Sequence, residues 1–251
     1  MAVPPLLAAL ALVPGLAVGS FLNVVAARVP DRRSIVRPRS ACGACGREIA
    51  WYDNIPLLSY ALLRGRCRSC ASRIGIVYPA VEATAALLIA GCFARFGFTL
   101  TALVESVFCA TLVTVSVTDL QRRVIPNRIV LPAAVVVLAG MTAAQPSPEW
   151  IIAAVATSFF LLVFALAVPG GMGMGDVKLA LLIGAGLGRV TSVGMMIGLL
   201  SALVPSLFLV ARHGRRARKM TIPFGPALAF GAIVALFAGH TILGWYWAIS
   251  G

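Results

Sequence analysis

Long apolar runs separated by short polar segments make up most of this chain. Several runs are only about 17 residues long, slightly less than the 20 or so that a membrane-spanning helix needs. The pattern shows no soluble domain, coiled coil or clear repeat. It predicts an all-α polytopic membrane helix bundle with about eight transmembrane helices and one sizeable polar loop. The predicted spans lie near residues 4–27, 77–94, 99–117, 129–144, 150–168, 177–188, 191–211 and 222–248.

Composition supports this fold class. Of 251 residues, 60% are hydrophobic and only 12% are charged, and the mean hydropathy is +0.97. These values exclude an ordinary soluble globular domain.

The net charge of +13 is explained by membrane topology better than by nucleic-acid binding. All but two of the 21 Lys and Arg residues, Arg95 and Arg189, fall in segments on one side of the predicted membrane. Cytoplasmic loops carry such an excess of positive charge. The inward segments are 28–76, 118–128, 169–178 and 212–219. With an even number of spans, both termini lie outside. Because topology accounts for the positive charge, we expect no nucleic-acid partner.

The first apolar run has no basic residue ahead of it, unlike a cleavable signal peptide. Arg28 and four further arginines follow it, which is typical of a stop-transfer flank. We therefore expect an uncleaved first span whose C-terminal end lies in the cytoplasm.

The polar loop at 28–76 contains two C-x-x-C pairs, "CGAC" at 42–45 and "CRSC" at 67–70. Pairs at this spacing can form a tetrahedral four-cysteine zinc site, which leaves no open position for catalysis. Two disulfides are the alternative, but they rarely persist in a reducing cytoplasm. A zinc ribbon that binds nucleic acid is a competing interpretation of the same loop. We expect a structural, zinc-ribbon-like loop with the ligands Cys42, Cys45, Cys67 and Cys70, and we expect Cys92 and Cys109 to be small buried hydrophobes.

Two of the eight acidic residues lie at one predicted membrane depth. Asp119 ends the third span and Asp176 opens the sixth, both at the inner face. Two facing carboxyl groups can share one proton and activate water against a peptide carbonyl, as in aspartic proteases. Gly171, Gly173 and Gly175 precede Asp176 and allow a substrate strand to approach the main chain.

Several alternatives remain open. Asp176 could cap a helix N-terminus, and Asp119 could pair with Arg122 or Arg123. A proton-coupled transporter could use both aspartates with Glu82 and Glu105 as a relay. A membrane scaffold with a zinc loop would need no catalytic residue.

Six motifs follow one another along the chain. They are "GSFLNVVAARVP" at 19–30, the cysteine loop with "NIPLLSYALLRGRC" at 54–67, "YPAVEA" at 78–83, "TDLQRRVIPN" at 118–127, "GMGMGDVKLA" at 171–180 and "IPFGPALAFG" at 222–231. In these motifs the chain resembles the type IV prepilin peptidases, which belong to the GxGD class of intramembrane aspartyl proteases. A presenilin-like enzyme would share "GMGD" and "PAL" but not the cysteine loop.

This resemblance implies an enzyme of the bacterial cytoplasmic membrane. Such an enzyme removes the basic leader of prepilins and related pseudopilins, in type IV pilus and type II secretion systems. It then N-methylates the new N-terminus with S-adenosylmethionine. Asp119 and Asp176 match the catalytic positions. Residues 1–98 would form a methyltransferase region and 99–251 the peptidase region. Supporting motif residues are Gly173, Gly175, Lys178, Glu82, Pro223 and Gly225; the resemblance assigns no residue to the methyl donor.

Overall fold

The computed structural model describes residues 9–167, 172–214 and 223–250. Outside the polar loop, these residues are almost entirely helical, which confirms the all-α prediction. Residues at the edges of three predicted spans (4–8, 168 and 222) and Gly171 of the glycine tract lie outside the described ranges.

The described helices follow the predicted apolar runs, with one additional short helix in the polar loop. Single 3₁₀ turns occur at Trp51–Asn54 and Gly188–Val190. The α-helices are α1 (Leu12–Arg28), α2 (Leu58–Leu62), α3 (Val77–Phe96), α4 (Leu100–Arg122), α5 (Asn127–Ala144), α6 (Glu149–Ala167), α7 (Met174–Leu187), α8 (Thr191–His213) and α9 (Gly225–Ser250).

The number of helices that could cross a bilayer differs slightly from the prediction. In the described part of the chain, six helical runs are long and apolar enough, and one of them joins α7 and α8 as Met174–Arg212. Helix α1 is apolar but has only 17 residues. Eight described helices follow the eight predicted runs, and the count is six because α1 is too short and α7 and α8 are joined into one run. The protein is thus a multi-pass membrane protein.

The chain divides into two compact units, Met1–Thr114 and Val115–Gly251, and the division falls inside α4. In the first unit, α1 packs closely against α3. A Cβ at Gly15 would come within 2.8 Å of the Ala86 Cα, and one at Gly19 within 2.7 Å of the Glu82 Cα. Glycines four residues apart allow two membrane helices to bring their backbones together.

In the second unit, α7 is the central helix. It contacts α5, α6, α8 and α9, and ten of its 14 residues are buried. Gly184 of α7 lies directly against the backbone of Ala153 and Ala154 in α6. Helices α8 and α9 meet in the same way, where Gly231 contacts the backbone of Gly194 and Gly198. Small residues therefore fix the position of the helix that carries Asp176.

Candidate active site

Asp119 is a buried residue near the C-terminal end of α4. Its side chain is 6% exposed, and the preceding Thr118 is fully buried. The backbone N–H of Gly225, at the start of α9, donates a hydrogen bond to Asp119 Oδ2 at 2.9 Å. The carboxyl group is therefore oriented by a distant part of the chain rather than exposed at a wet helix end.

Asp176 lies in the first turn of α7 and is 8% exposed. The N-cap of this helix is Gly173, whose backbone is extended, and no side chain caps it. The Asp176 N–H donates to the Gly173 carbonyl at 3.0 Å. Asp176 is thus not the capping residue, although a carboxylate in the first turn is favoured by the helix dipole.

The second unit brings the two carboxyl groups into electrostatic range of each other. Both are buried in an apolar bundle, where two neighbouring carboxylates cannot both ionise easily. Carboxyl groups that interact strongly can share one proton, with one member as acid and the other as base.

Two glycines of the predicted motifs are packed against this site. A Cβ at Gly225 would lie 2.9 Å from Asp119 Oδ2, and a Cβ at Gly175 would lie 2.8 Å from the Ile125 Cβ. Gly173 is less constrained, because its Cβ would reach Asp176 Oδ2 only at 3.5 Å. Gly175 and Gly225 are therefore required for close approach, a role different from the flexibility expected from sequence.

The segment between α4 and α5 also supports the start of α7. The Lys178 Nζ donates to Asn127 Oδ1 at 2.9 Å, and Ile125 contacts Gly175. Sequence reasoning missed both contacts, although "TDLQRRVIPN" contains both partner residues. Pro223 lies two residues before α9, and Pro226 occupies its first turn, where the missing N–H costs no helix hydrogen bond.

The four loop cysteines come together as predicted. Their Sγ atoms all lie within 4.8 Å of one another, and Cys42 Sγ is 3.8 Å from Cys70 Sγ. A tetrahedral zinc ion with Zn–S bonds of about 2.3 Å separates its sulfurs by about 3.8 Å. The donor set thus fits a structural metal held by Cys42, Cys45, Cys67 and Cys70.

The two C-x-x-C segments have the same backbone hydrogen bonds. Cys42 N–H donates to the Arg47 carbonyl, and Cys67 N–H donates to the Ser72 carbonyl. Each segment then closes with a residue of positive φ, Gly46 in the first and Ala71 in the second. The loop therefore contains two matched knuckles, which we call the metal-binding knuckles because their four thiols could hold one metal ion.

Glu82 contacts the polar loop, a role that could not be derived from sequence. Its Oε2 accepts a hydrogen bond from the Leu57 backbone N–H at 2.9 Å. Leu57 has a φ of +58°, which is unusual for a branched side chain. Glu82 thus holds the loop backbone in a strained conformation.

Glu105 belongs to the first unit, where it is 2% exposed and its Oε2 has no hydrogen-bond partner among the described residues. Cys92 and Cys109 are fully buried, as predicted, and their Sγ atoms are 3.9 Å apart.

Comparisons with known proteins agree with the predicted resemblance. Residues 13–96 match the family described as "Bacterial Peptidase A24 N-terminal domain", and residues 106–211 match the "Type IV leader peptidase family". No solved structure matches the chain.

Several relatives carry the name "Prepilin leader peptidase/N-methyltransferase", and three of them illustrate the similarity. The one from Bacillus subtilis (strain 168) is 38% identical over 92% of this chain and 94% of its own length. That from Myxococcus xanthus (strain DK1622) is 47% identical over 57% of this chain and 42% of its own. That from Burkholderia pseudomallei (strain 1026b) is 35% identical over 92% of this chain and 85% of its own length. The chain therefore belongs to the prepilin leader peptidase/N-methyltransferase family.

Proposed function

We propose that this protein is a membrane aspartic endopeptidase that cleaves the basic leader from type IV prepilins and pseudopilins, then N-methylates the new N-terminus. The observation that carries the peptidase assignment is the pair of buried carboxyl groups, Asp119 and Asp176, in electrostatic range of each other. The names of the relatives support the substrate and the second activity.

The dyad supplies the chemistry of peptide hydrolysis. The ionised carboxylate removes a proton from water, and the resulting hydroxide attacks the scissile carbonyl carbon. The protonated carboxyl group gives its proton to the carbonyl oxygen, so a neutral gem-diol forms. Collapse of this intermediate breaks the C–N bond. The first carboxyl group gives its proton to the leaving amine, and one gem-diol hydroxyl returns a proton to the second carboxylate, so the dyad regains its starting state. No covalent enzyme intermediate is needed.

Either carboxyl group can be the base in the first step, with the other as the proton donor. The Gly225 N–H favours an ionised Asp119, and the first turn of α7 favours an ionised Asp176.

We assign cleavage to residues 99–251 and methyl transfer to residues 1–98. S-adenosylmethionine supplies the methyl group to the new N-terminal amine. Zinc, held by the four cysteines, would have a structural role, because four thiolates leave no site for a substrate.

We place the enzyme in the bacterial cytoplasmic membrane with both termini outside and the cysteine loop in the cytoplasm. The distribution of Lys and Arg supports this orientation. A prepilin is itself an apolar helix with a basic leader, so it can pack laterally against the bundle within the lipid bilayer.

The test uses purified enzyme in lipid with a synthetic prepilin, and reads product masses with and without S-adenosylmethionine. Asp119→Asn and Asp176→Asn should each lower the cleavage rate by at least about 10²–10⁴-fold, because each removes a proton-transfer group without changing its size. Asp31→Asn, the same change in the polar loop, should cleave normally. An added methyl group on the mature product would support the second activity. Cleavage that survives both dyad changes would exclude the aspartic mechanism.

A further inference from the structure

The polar loop exposes an apolar surface that neither catalysis nor metal binding explains. We call Trp51–Leu62 the apolar segment. It contains the 3₁₀ turn and α2, and its exposed side chains include Trp51 (80%), Leu58 (51%) and Leu62 (73%). Leu58 and Leu62 are four residues apart on α2 and therefore lie on one face of that helix. A loop surrounded by water on all sides would not be expected to present such a face.

The contact with Glu82 determines the depth of this segment. Helix α3 has 20 residues, which at 1.5 Å each is about the 30 Å of a bilayer's hydrocarbon core. The helix is thus just long enough to cross, and we place the membrane boundary at its first residue, Val77. Glu82 is five residues further in, about 7 Å along the axis. Because the Leu57 N–H donates to Glu82 Oε2 at 2.9 Å, the loop backbone is held at the level of the first turns of α3.

Basic residues follow the apolar segment. Arg64, Arg66 and Arg73 are exposed. Each positive residue near an anionic leaflet contributes roughly 1 kcal/mol of attraction. Apolar side chains beside exposed arginines are the combination by which interfacial segments bind anionic lipid, with their apolar faces about 5–10 Å deep.

One arginine in this region is already used within the loop. The Arg68 guanidinium forms an ion pair with Asp53, and this lowers the pKa of the Asp53 carboxyl group. It also lies 5.5 Å from the centre of the Tyr52 ring. These contacts hold the 3₁₀ turn to the second metal-binding knuckle, so the exposed face is presented on an ordered scaffold.

We propose that the apolar segment is an interfacial anchor that lies in the anionic lipid leaflet bordering the loop. Trp51, Leu58 and Leu62 enter the boundary between headgroups and acyl chains. Arg64, Arg66 and Arg73 contact lipid phosphates. The anchor holds the metal-binding knuckles at the membrane surface, and the proposal is independent of the catalytic assignment.

The experiment measures tryptophan emission of the full chain in vesicles of phosphatidylglycerol and phosphatidylcholine. Lipids brominated near the headgroup end of the acyl chain serve as quenchers. The difference between the wild type and Trp51→Phe isolates the emission of Trp51. We expect this difference emission to be blue-shifted, quenched by brominated lipid and protected from aqueous acrylamide.

Matched variants test the two halves of the anchor. Leu62→Glu should reduce lipid quenching of Trp51, whereas Val36→Glu, at an equally exposed apolar loop position (77%), should not. Replacing Arg64 and Arg66 with Gln should weaken the dependence of quenching on phosphatidylglycerol content.

Two results would overturn the proposal. Trp51 emission that is open to acrylamide and insensitive to brominated lipid would show that the segment lies in water. Emission insensitive to both quenchers would show that a protein surface covers it.

Discussion

The backbone N–H of Gly225 donates to the Oδ2 of Asp119 at 2.9 Å, although the two residues are 106 positions apart. This bond joins the first turn of α9 to the end of α4. The absence of a side chain at Gly225 permits the approach. It links a glycine of the "PFGPA" motif directly to one carboxyl group of the dyad.

Gly225→Ala should impair catalysis more than folding. The new Cβ would lie 2.9 Å from Asp119 Oδ2 and 3.4 Å from the Asp119 Cβ, so the carboxyl group must move. A misplacement of about 1 Å can lower turnover by about 10²-fold. Cleavage rates and thermal unfolding in detergent would be measured together. Gly244→Ala in the same helix is the control, because its Cβ meets nothing within 4 Å. Full activity of Gly225→Ala would contradict the assigned role.

The two described glycines before Asp176 should differ in their tolerance of alanine. Gly175→Ala places a Cβ 2.8 Å from that of Ile125, a branched side chain that cannot easily turn away. The first turn of α7 must then move and take Asp176 with it. Gly173→Ala should cost less, since its nearest contact is 3.5 Å and its φ is −79°.

A double-mutant cycle tests the cause. Ile125→Ala should restore part of the activity lost in Gly175→Ala, because it removes the clashing group. If Gly175→Ala lowers the cleavage rate equally in the wild type and in the Ile125→Ala variant, Gly175 acts through backbone flexibility instead.

The two metal-binding knuckles should respond in opposite ways to substitutions at equivalent positions. Gly46 has φ +70° and Ala71 has φ +55°, a region in which a Cβ costs about 1–2 kcal/mol. Ala71→Gly should therefore slow zinc release to a competing chelator, and Gly46→Ala should accelerate it.

Metal content of the full chain provides the accompanying measurement. We expect one zinc per chain, and its loss when Cys42 or Cys67 is changed to Ser. A purified protein without zinc, whose thermal unfolding is unaffected by chelator, would refute a structural metal.

Replacing the Glu105 carboxyl group should not lower cleavage. Its Oε2 is buried without a hydrogen-bond partner among the described residues, which is costly for a carboxyl group. A buried polar group without a hydrogen-bond partner costs about 1–3 kcal/mol, and an apolar side chain of similar size removes that cost. Glu105→Leu should thus keep or raise the unfolding temperature, and Glu105→Gln should cleave normally. A folded Glu105→Gln protein without activity would assign Glu105 a part in function.

Features that depend on neighbouring residues in sequence were predictable. Hydrophobicity and length located the apolar helices, because a helix satisfies its own backbone in lipid. The C-x-x-C spacing predicted the knuckles, because each forms from a few consecutive residues. An aspartate beside an apolar run indicated a site, because burying a carboxylate is costly.

The tertiary structure decided what depends on residues far apart in the chain. The partner of Glu82 is the Leu57 backbone, 25 residues away, and no local pattern encodes that contact. Likewise, Gly225 is required because the Asp119 side chain packs against it, and Gly175 is required because the Ile125 side chain packs against it. The sequence alone does not distinguish these glycines from the others. The sequence by itself determined which side chains could serve as metal ligands or as acids, and which segments could cross the membrane. Only packing decided which backbone groups and glycines hold them in place, because close approach is a property of pairs of elements.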